Sequence, residues 1–226
     1  MSRLTWSVTY CFALAFIGFC GLDCYAEKNS EIKPALIDAK LVQVADDFEQ
    51  VEPGTMNPGK KWNVLKGEWR VQDGFLVGKE LEADHHAAVI CLNEKNTDSL
   101  IRFSFRLDGS AGFHLSLNHA KGHLFRVIVG ENLVAVKTDK DKKDPTSKAV
   151  TLGQEKTLFE QGKWYTMQVE MRGEHVVVQA DNGLSIKGNH ESLAVDKPNY
   201  RFVTSGKALQ LDDIQIGLVE TSKGLR

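Results

Sequence analysis

Residues 163–186 read KWYTMQVEMRGEHVVVQADNGLSI, and this stretch restricts the fold more than any other. Tyr165, Met167, Val169 and Met171 alternate with Thr166, Gln168 and Glu170. Such a two-residue period puts one set of side chains on each face of an extended strand, one face buried and the other wet. Two turn signals follow, Arg172-Gly173-Glu174 and Asp181-Asn182-Gly183. Asn-Gly tolerates the positive φ angles of a tight hairpin, so residues 184–187 are expected to fold straight back as the next strand of an antiparallel sheet.

The same signature recurs along the chain. Strands are predicted at residues 62–65, 69–72, 75–79, 87–92, 100–107, 113–118, 123–129, 133–138, 164–171, 176–181, 184–187, 200–204 and 209–218. No long segment carries a helical period, and residues 191–195 offer one short turn at most. Many short strands separated by Gly, Asn and Asp describe an all-β fold, a jelly-roll sandwich of two antiparallel sheets. The domain is expected to span residues 46–218, with a tail at 219–226 and a lead-in at 27–45. That lead-in either wraps the domain edge or forms a short helix.

Residues 1–26 resemble a secretory signal peptide: Arg3, an apolar run, then Cys24-Tyr25-Ala26. A retained membrane anchor is the alternative, the run being near the lower length limit for a span. Cleavage would leave a secreted chain, periplasmic or extracellular, with no membrane contact. Three of the four cysteines, Cys11, Cys20 and Cys24, lie in that leader. Cys91 alone remains, so the mature chain has no intrachain disulfide, and its neighbours Val89, Ile90 and Leu92 mark it as a small core residue rather than a nucleophile. The formal net charge is −2 with both signs interspersed, which gives no nucleic-acid surface. The densest run, KTDKDKKDPTSK at 137–148, alternates in sign and reads as a solvated loop.

A resemblance rests on the order of five motifs: Gly67-Glu68-Trp69-Arg70-Val71-Gln72-Asp73-Gly74-Phe75-Leu76, Ser99-Leu100-Ile101-Arg102-Phe103-Ser104-Phe105-Arg106-Leu107, Trp164-Tyr165-Thr166-Met167-Gln168-Val169, Tyr200-Arg201-Phe202 with Ser205-Gly206, and Leu211-Asp212-Asp213-Ile214-Gln215-Ile216. In that order the chain resembles the concanavalin A-like lectin and glucanase jelly rolls, and is most similar to the 3-keto-disaccharide hydrolase family, formerly domain of unknown function 1080. The resemblance implies a carbohydrate partner, possession of a glycoside-cleaving site, or, alternatively, a non-catalytic glycan-binding or adhesion module. A structural domain without ligand is a third reading. Glu82-Ala83-Asp84-His85-His86-Ala87 begins like the paired-carboxylate strand of retaining glucanases but ends in Ala87, so ordinary glucanase chemistry is not expected.

Register arithmetic gives a candidate site. If the strands around Phe103 and Leu115 are hairpin neighbours, pairing Leu107 with Phe113, Phe105 with Leu115 and Phe103 with Leu117 buries all six. Arg106 then stands beside His114, Ser104 beside Ser116 and Arg102 beside Asn118, with Arg126 extending the patch. In the keto-sugar reading His114 is the base that removes a carbon-bound proton, while Arg102 and Arg106 stabilise the enolate and Ser104, Ser116, Asn118 and Arg126 bind hydroxyls. The competing reading is one solvated sheet face. No cofactor is specified by the sequence and no metal site is expected: His119 and His123 flank a turn, and adjacent His85 and His86 point apart. Of Trp62, Trp69 and Trp164, at least two are expected in the core, with Trp164 sealing a sheet edge.

Overall fold

Apolar side chains on alternate positions need a second apolar surface to cover them, and the chain supplies it by stacking two sheets. The computed structural model describes residues 31–37, 42–120, 122–141 and 143–218; the leader and the 219–226 tail lie outside them. An eight-stranded sheet runs β13 (Ser185–Asn189), β12 (His175–Ala180), β11 (Trp164–Arg172), β6 (Ser99–Leu107), β15 (Leu209–Leu218), β4 (Phe75–Lys79), β3 (Glu68–Gln72), with β1 (Val42–Asp46) also paired to β15. The other sheet, of seven strands, runs β10 (Thr151–Lys156), β9 (Leu133–Thr138), β8 (Gly122–Gly130), β7 (Ser110–His119), β14 (Tyr200–Gly206), β5 (Ala88–Leu92), β2 (Trp62–Lys66). Every pairing within both sheets is antiparallel. This is the jelly-roll sandwich that the sequence pattern predicts.

Local signals behave as expected at the hairpins. Gly173 turns β11 into β12 at φ 56°, and Gly183 turns β12 into β13 at φ 96°, setting Gln179 opposite Ser185. Residues 191–193 form a single 3-10 turn. Strands β1 and β10 were not expected; TLGQEK carries a glycine and two charges and offers little alternation.

The expected pairing of β6 with β7 does not occur. β6 lies between β11 and β15 in one sheet, and β7 lies between β14 and β8 in the other. The two face each other across the core, where the Phe103 ring meets Phe113 at 6.0 Å and Phe202 at 5.2 Å, and Phe105 meets Phe113 at 4.9 Å. Asp108-Gly109 is therefore a corner between sheets, not a hairpin turn. A matching corner, Lys207-Ala208, carries β14 into β15 alongside it, and the Asp108 N–H donates to the Ala208 carbonyl at 3.0 Å. Gly109 and Gly206 sit at φ 88° and 90°, conformations that favour glycine.

The lead-in wraps the domain. Glu170 on β11 points away from the core yet is 0% exposed, because residues 35–37 lie across it. Its carboxylate accepts the backbone N–H groups of Ala35 (2.8 and 3.0 Å), Leu36 (2.7 Å) and Ile37 (2.9 Å), and the Gln168 amide at 3.0 Å. Ile32 and Ile37 are buried beside it. Three consecutive N–H groups converging on one anion form the kind of backbone nest that holds a buried charge without a cation. Removing the acceptor in Glu170→Ala strands these donors and is expected to lower stability by about 3 kcal/mol. Thermal unfolding measures the loss, and faster hydrogen exchange at the amides of residues 35–37 reports release of the strap.

Candidate functional site

The outer face of the seven-stranded sheet gathers four of the residues expected at the site. His114, Ser116 and Asn118 alternate on β7 with the inward Phe113, Leu115 and Leu117, so all three face away from the core. Ser116 has Arg126 of β8 directly across from it on one side and Arg201 of β14 on the other. The row continues through Cys91 of β5 beyond Arg201 and Lys137 of β9 beyond Arg126. Directly opposite residues share a face, so a hydroxyl stands between two guanidinium groups.

The shorter side chains of this face are covered by their longer neighbours. Cys91, Ser116 and Asn118 point outward and are only 2%, 4% and 8% exposed. Burial pushes the Cys91 thiol pKa up, and Arg201, which hydrogen-bonds to it, draws it back. Cys91 is therefore buried as expected, but beneath Arg201 on the outer face and not in the core between the sheets. The Arg201 Nε is shielded from solvent and has no hydrogen-bond partner among the described residues. Arg126 is oriented differently: both its Nε, at 3.0 Å, and a terminal nitrogen donate to the Asp139 carboxylate. The Asn118 Oδ1 accepts a hydrogen bond from the His123 ring Nδ1 at 3.1 Å.

His114 stands one row further along β7, with Val203 and Ile128 opposite it. Burial lowers its pKa from the ordinary 6.5, the neighbouring Arg126 charge lowers it further, and Asp139 partly opposes both. The imidazole is thus held neutral at pH 7, with a lone pair available for a proton.

The other three expected residues are elsewhere. Arg102, Ser104 and Arg106 alternate on β6 with the inward Ile101, Phe103 and Phe105, which places them on the outer face of the eight-stranded sheet, across the core from His114. The joint cluster of Arg102, Arg106 and His114 does not form, because an alternating strand cannot turn the same residues toward both sheets. Arg106 lies over the Trp164 ring at 4.9 Å and the Phe75 ring at 5.4 Å, and its Nε donates to Gln210. Trp164 thus sits on an outer face in mid-sheet rather than sealing an edge, while Trp62 and Trp69 are buried as expected. Arg201 was visible in the sequence only as a polar residue between two buried aromatics, Tyr200 and Phe202. No group of three or more metal-ligating side chains forms among the described residues.

Because the folded chain binds the His114 proton less tightly than the unfolded chain, the stability gained by keeping the ring neutral is full above pH 6.5 and is lost as pH falls below it. Arg126→Ala removes a repelling charge and leaves Asp139 unpaired, and both changes raise the His114 pKa. An NMR titration of the ring is expected to show an upward shift relative to the wild type.

No family model and no curated protein sequence matches the chain. Solved structures do match it in shape. A carbohydrate-binding module, CBM66 from Bacillus subtilis, superposes with a TM-score of 0.55 at 15% identity, covering 70% of this chain and 95% of that one. A non-specific endo-β-1,3(4)-glucanase from family GH16 gives 0.58 at 11%, covering 84% and 95%. The laminarinase from Rhodothermus marinus gives 0.55 at 13%, covering 80% and 98%. At such identities the likeness is one of fold, and that fold is the concanavalin-like jelly roll.

Proposed function

We propose that the chain is a secreted carbohydrate-active domain whose ligand lies over Ser116 on the outer face of the seven-stranded sheet. The observation that carries this reading is the Arg201–Ser116–Arg126 row, in which the buried Arg201 Nε has no hydrogen-bond partner among the described residues. Two guanidinium groups on strands about 10 Å apart reach one electron-rich oxygen placed above the intervening strand. The fold shared with a carbohydrate-binding module and with glucanases supports a sugar as the carrier of that oxygen.

The neutral His114 favours one chemistry in particular, cleavage of 3-keto-glycosides. A keto group acidifies the proton on the neighbouring carbon. His114 takes that proton, the electron pair forms a double bond to the anomeric carbon, and the glycosidic C–O bond breaks as its oxygen gains a proton from water. Arg126 and Arg201 stabilise the negative charge that gathers on the keto oxygen, the role expected of Arg102 and Arg106 from the sequence. Asp139 fixes Arg126 in place for it.

The chain from Glu27 onward, incubated with 3-keto-glucosides and their unoxidised parents, is expected to release sugar from the keto compounds only. His114→Ala abolishes release while retaining binding. Arg201→Ala weakens binding by about ten- to a hundredfold, the loss expected for one charge-assisted hydrogen bond. Binding of keto compounds without release assigns the face to recognition alone, and absence of both overturns the reading.

A further inference from the structure

The outer face of the eight-stranded sheet carries polar groups for which the Ser116 face has no use. One cross-strand row holds Gln215 of β15, Arg102 of β6, Gln168 of β11 and Gln179 of β12 side by side. Gln168 is tied to Glu170. The Gln179 Oε1 is shielded from solvent and has no hydrogen-bond partner among the described residues, and the Arg102 guanidinium on the other side of Gln168 is balanced by the Asp181 charge. A buried acceptor without a donor is uncommon in folded proteins and marks a place where a donor arrives from outside.

The row is bounded along β11 at both ends. Beyond Gln168 the strap crosses the sheet at Glu170, clamped by the backbone amides of residues 35–37. In the other direction, four residues or about 13 Å from Gln168, stands Trp164, half-buried, with the Phe75 ring 5.7 Å away edge-on. Arg106 lies over the Trp164 ring at 4.9 Å, and the part of the indole it leaves uncovered presents an apolar surface to a sugar ring beside polar partners for its substituents. The charge balance differs from that of the Ser116 face. Asp212 lies across from Ser104 one row away, and Asp181, which accepts the Thr166 N–H at 3.0 Å, acts electrostatically on Arg102. Carboxylates so close to Arg102 disfavour an anion, whereas neutral hydroxyls both donate to Gln179 and accept from Arg102.

We infer that this face is a second ligand site, taking the end of a neutral oligosaccharide laid along β11 from Trp164 and stopped by the strap at Glu170. A closed end admits a chain terminus and rejects the interior of a long polymer. The core of the sandwich separates this site from His114, so each is testable without the other.

The test titrates the full mature chain with neutral oligosaccharides of glucose, xylose and mannose, using calorimetry and tryptophan fluorescence. Saturable binding is expected to at least one of them, weakened tenfold or more in Arg102→Ala and in Gln179→Ala. Circular dichroism and melting curves confirm folding, and Gln179→Met, which keeps the side-chain length but has no acceptor oxygen, serves if the alanine variant unfolds. A folded wild type that binds none of the panel overturns the inference. So does binding that survives Arg102→Ala and Gln179→Ala. A polysaccharide bound in proportion to its mass rather than to its number of chain ends overturns the terminal specificity.

Discussion

Everything in this molecule depends on the aromatic contact between the sheets. Phe103 and Phe105 of β6 interlock with Phe113 of β7 and Phe202 of β14, and Phe105 packs further against Phe159 at 5.1 Å and Tyr165 at 5.9 Å. Edge-on rings of this kind add directional preference to the burial of large apolar surfaces. Once those rings point at one another, the alternate residues of β6 and β7 must point in opposite directions. The fold therefore has two polar outer faces, and Arg102 and His114 belong to different ones.

The strands and hairpins were legible in the sequence because alternation and turn residues act locally. Gly173 and Gly183 say where the chain reverses, and Tyr165 through Met171 say which side is buried. Partnership between strands is a different matter. The apolar set of Phe103, Phe105 and Leu107 fits Phe113, Leu115 and Leu117 equally well as a hairpin neighbour and as the opposite wall of a sandwich. The pattern fixes which residues are inward, not which strand lies alongside. Two residues, Asp108 and Gly109, connect β6 to β7, a length shared by hairpin turns and by corners between sheets. Four of the seven candidate residues stayed together, because His114, Ser116 and Asn118 lie on one strand and Arg126 on its hairpin partner. Arg201 was missed because it reaches that row from 85 residues further along than Ser116, through the β14 pairing.

Buried charges are treated in three ways here. Glu170 is surrounded by N–H donors and needs no cation. Lys197 is buried with its ammonium donating to the carbonyls of Thr97 at 2.9 Å and Val195 at 2.8 Å; burial holds its pKa down to about 8, against Asp98 and Asp196. Both arrangements close loops onto the sandwich and leave no polar atom of the pair unspent. Arg201 does not follow this rule, for its Nε is enclosed without an acceptor. Glu170 and Lys197 are satisfied from within the chain, whereas Arg201 stands on an outer face one row from His114.

The position of the last two strands has a kinetic consequence. β14 fills the place between β5 and β7, and β15 fills the place between β6 and β4, so each sheet has its C-terminal strand in the middle and not at an edge. A growing chain that has produced everything up to the 3-10 turn at residues 191–193 still lacks the strand that joins the two halves of either sheet. Long-range pairings of this kind are slow to close. Until β14 is made β5 and β7 expose unpaired edges, and until β15 is made β4 and β6 do, so the sandwich closes only when nearly the whole domain has been synthesised.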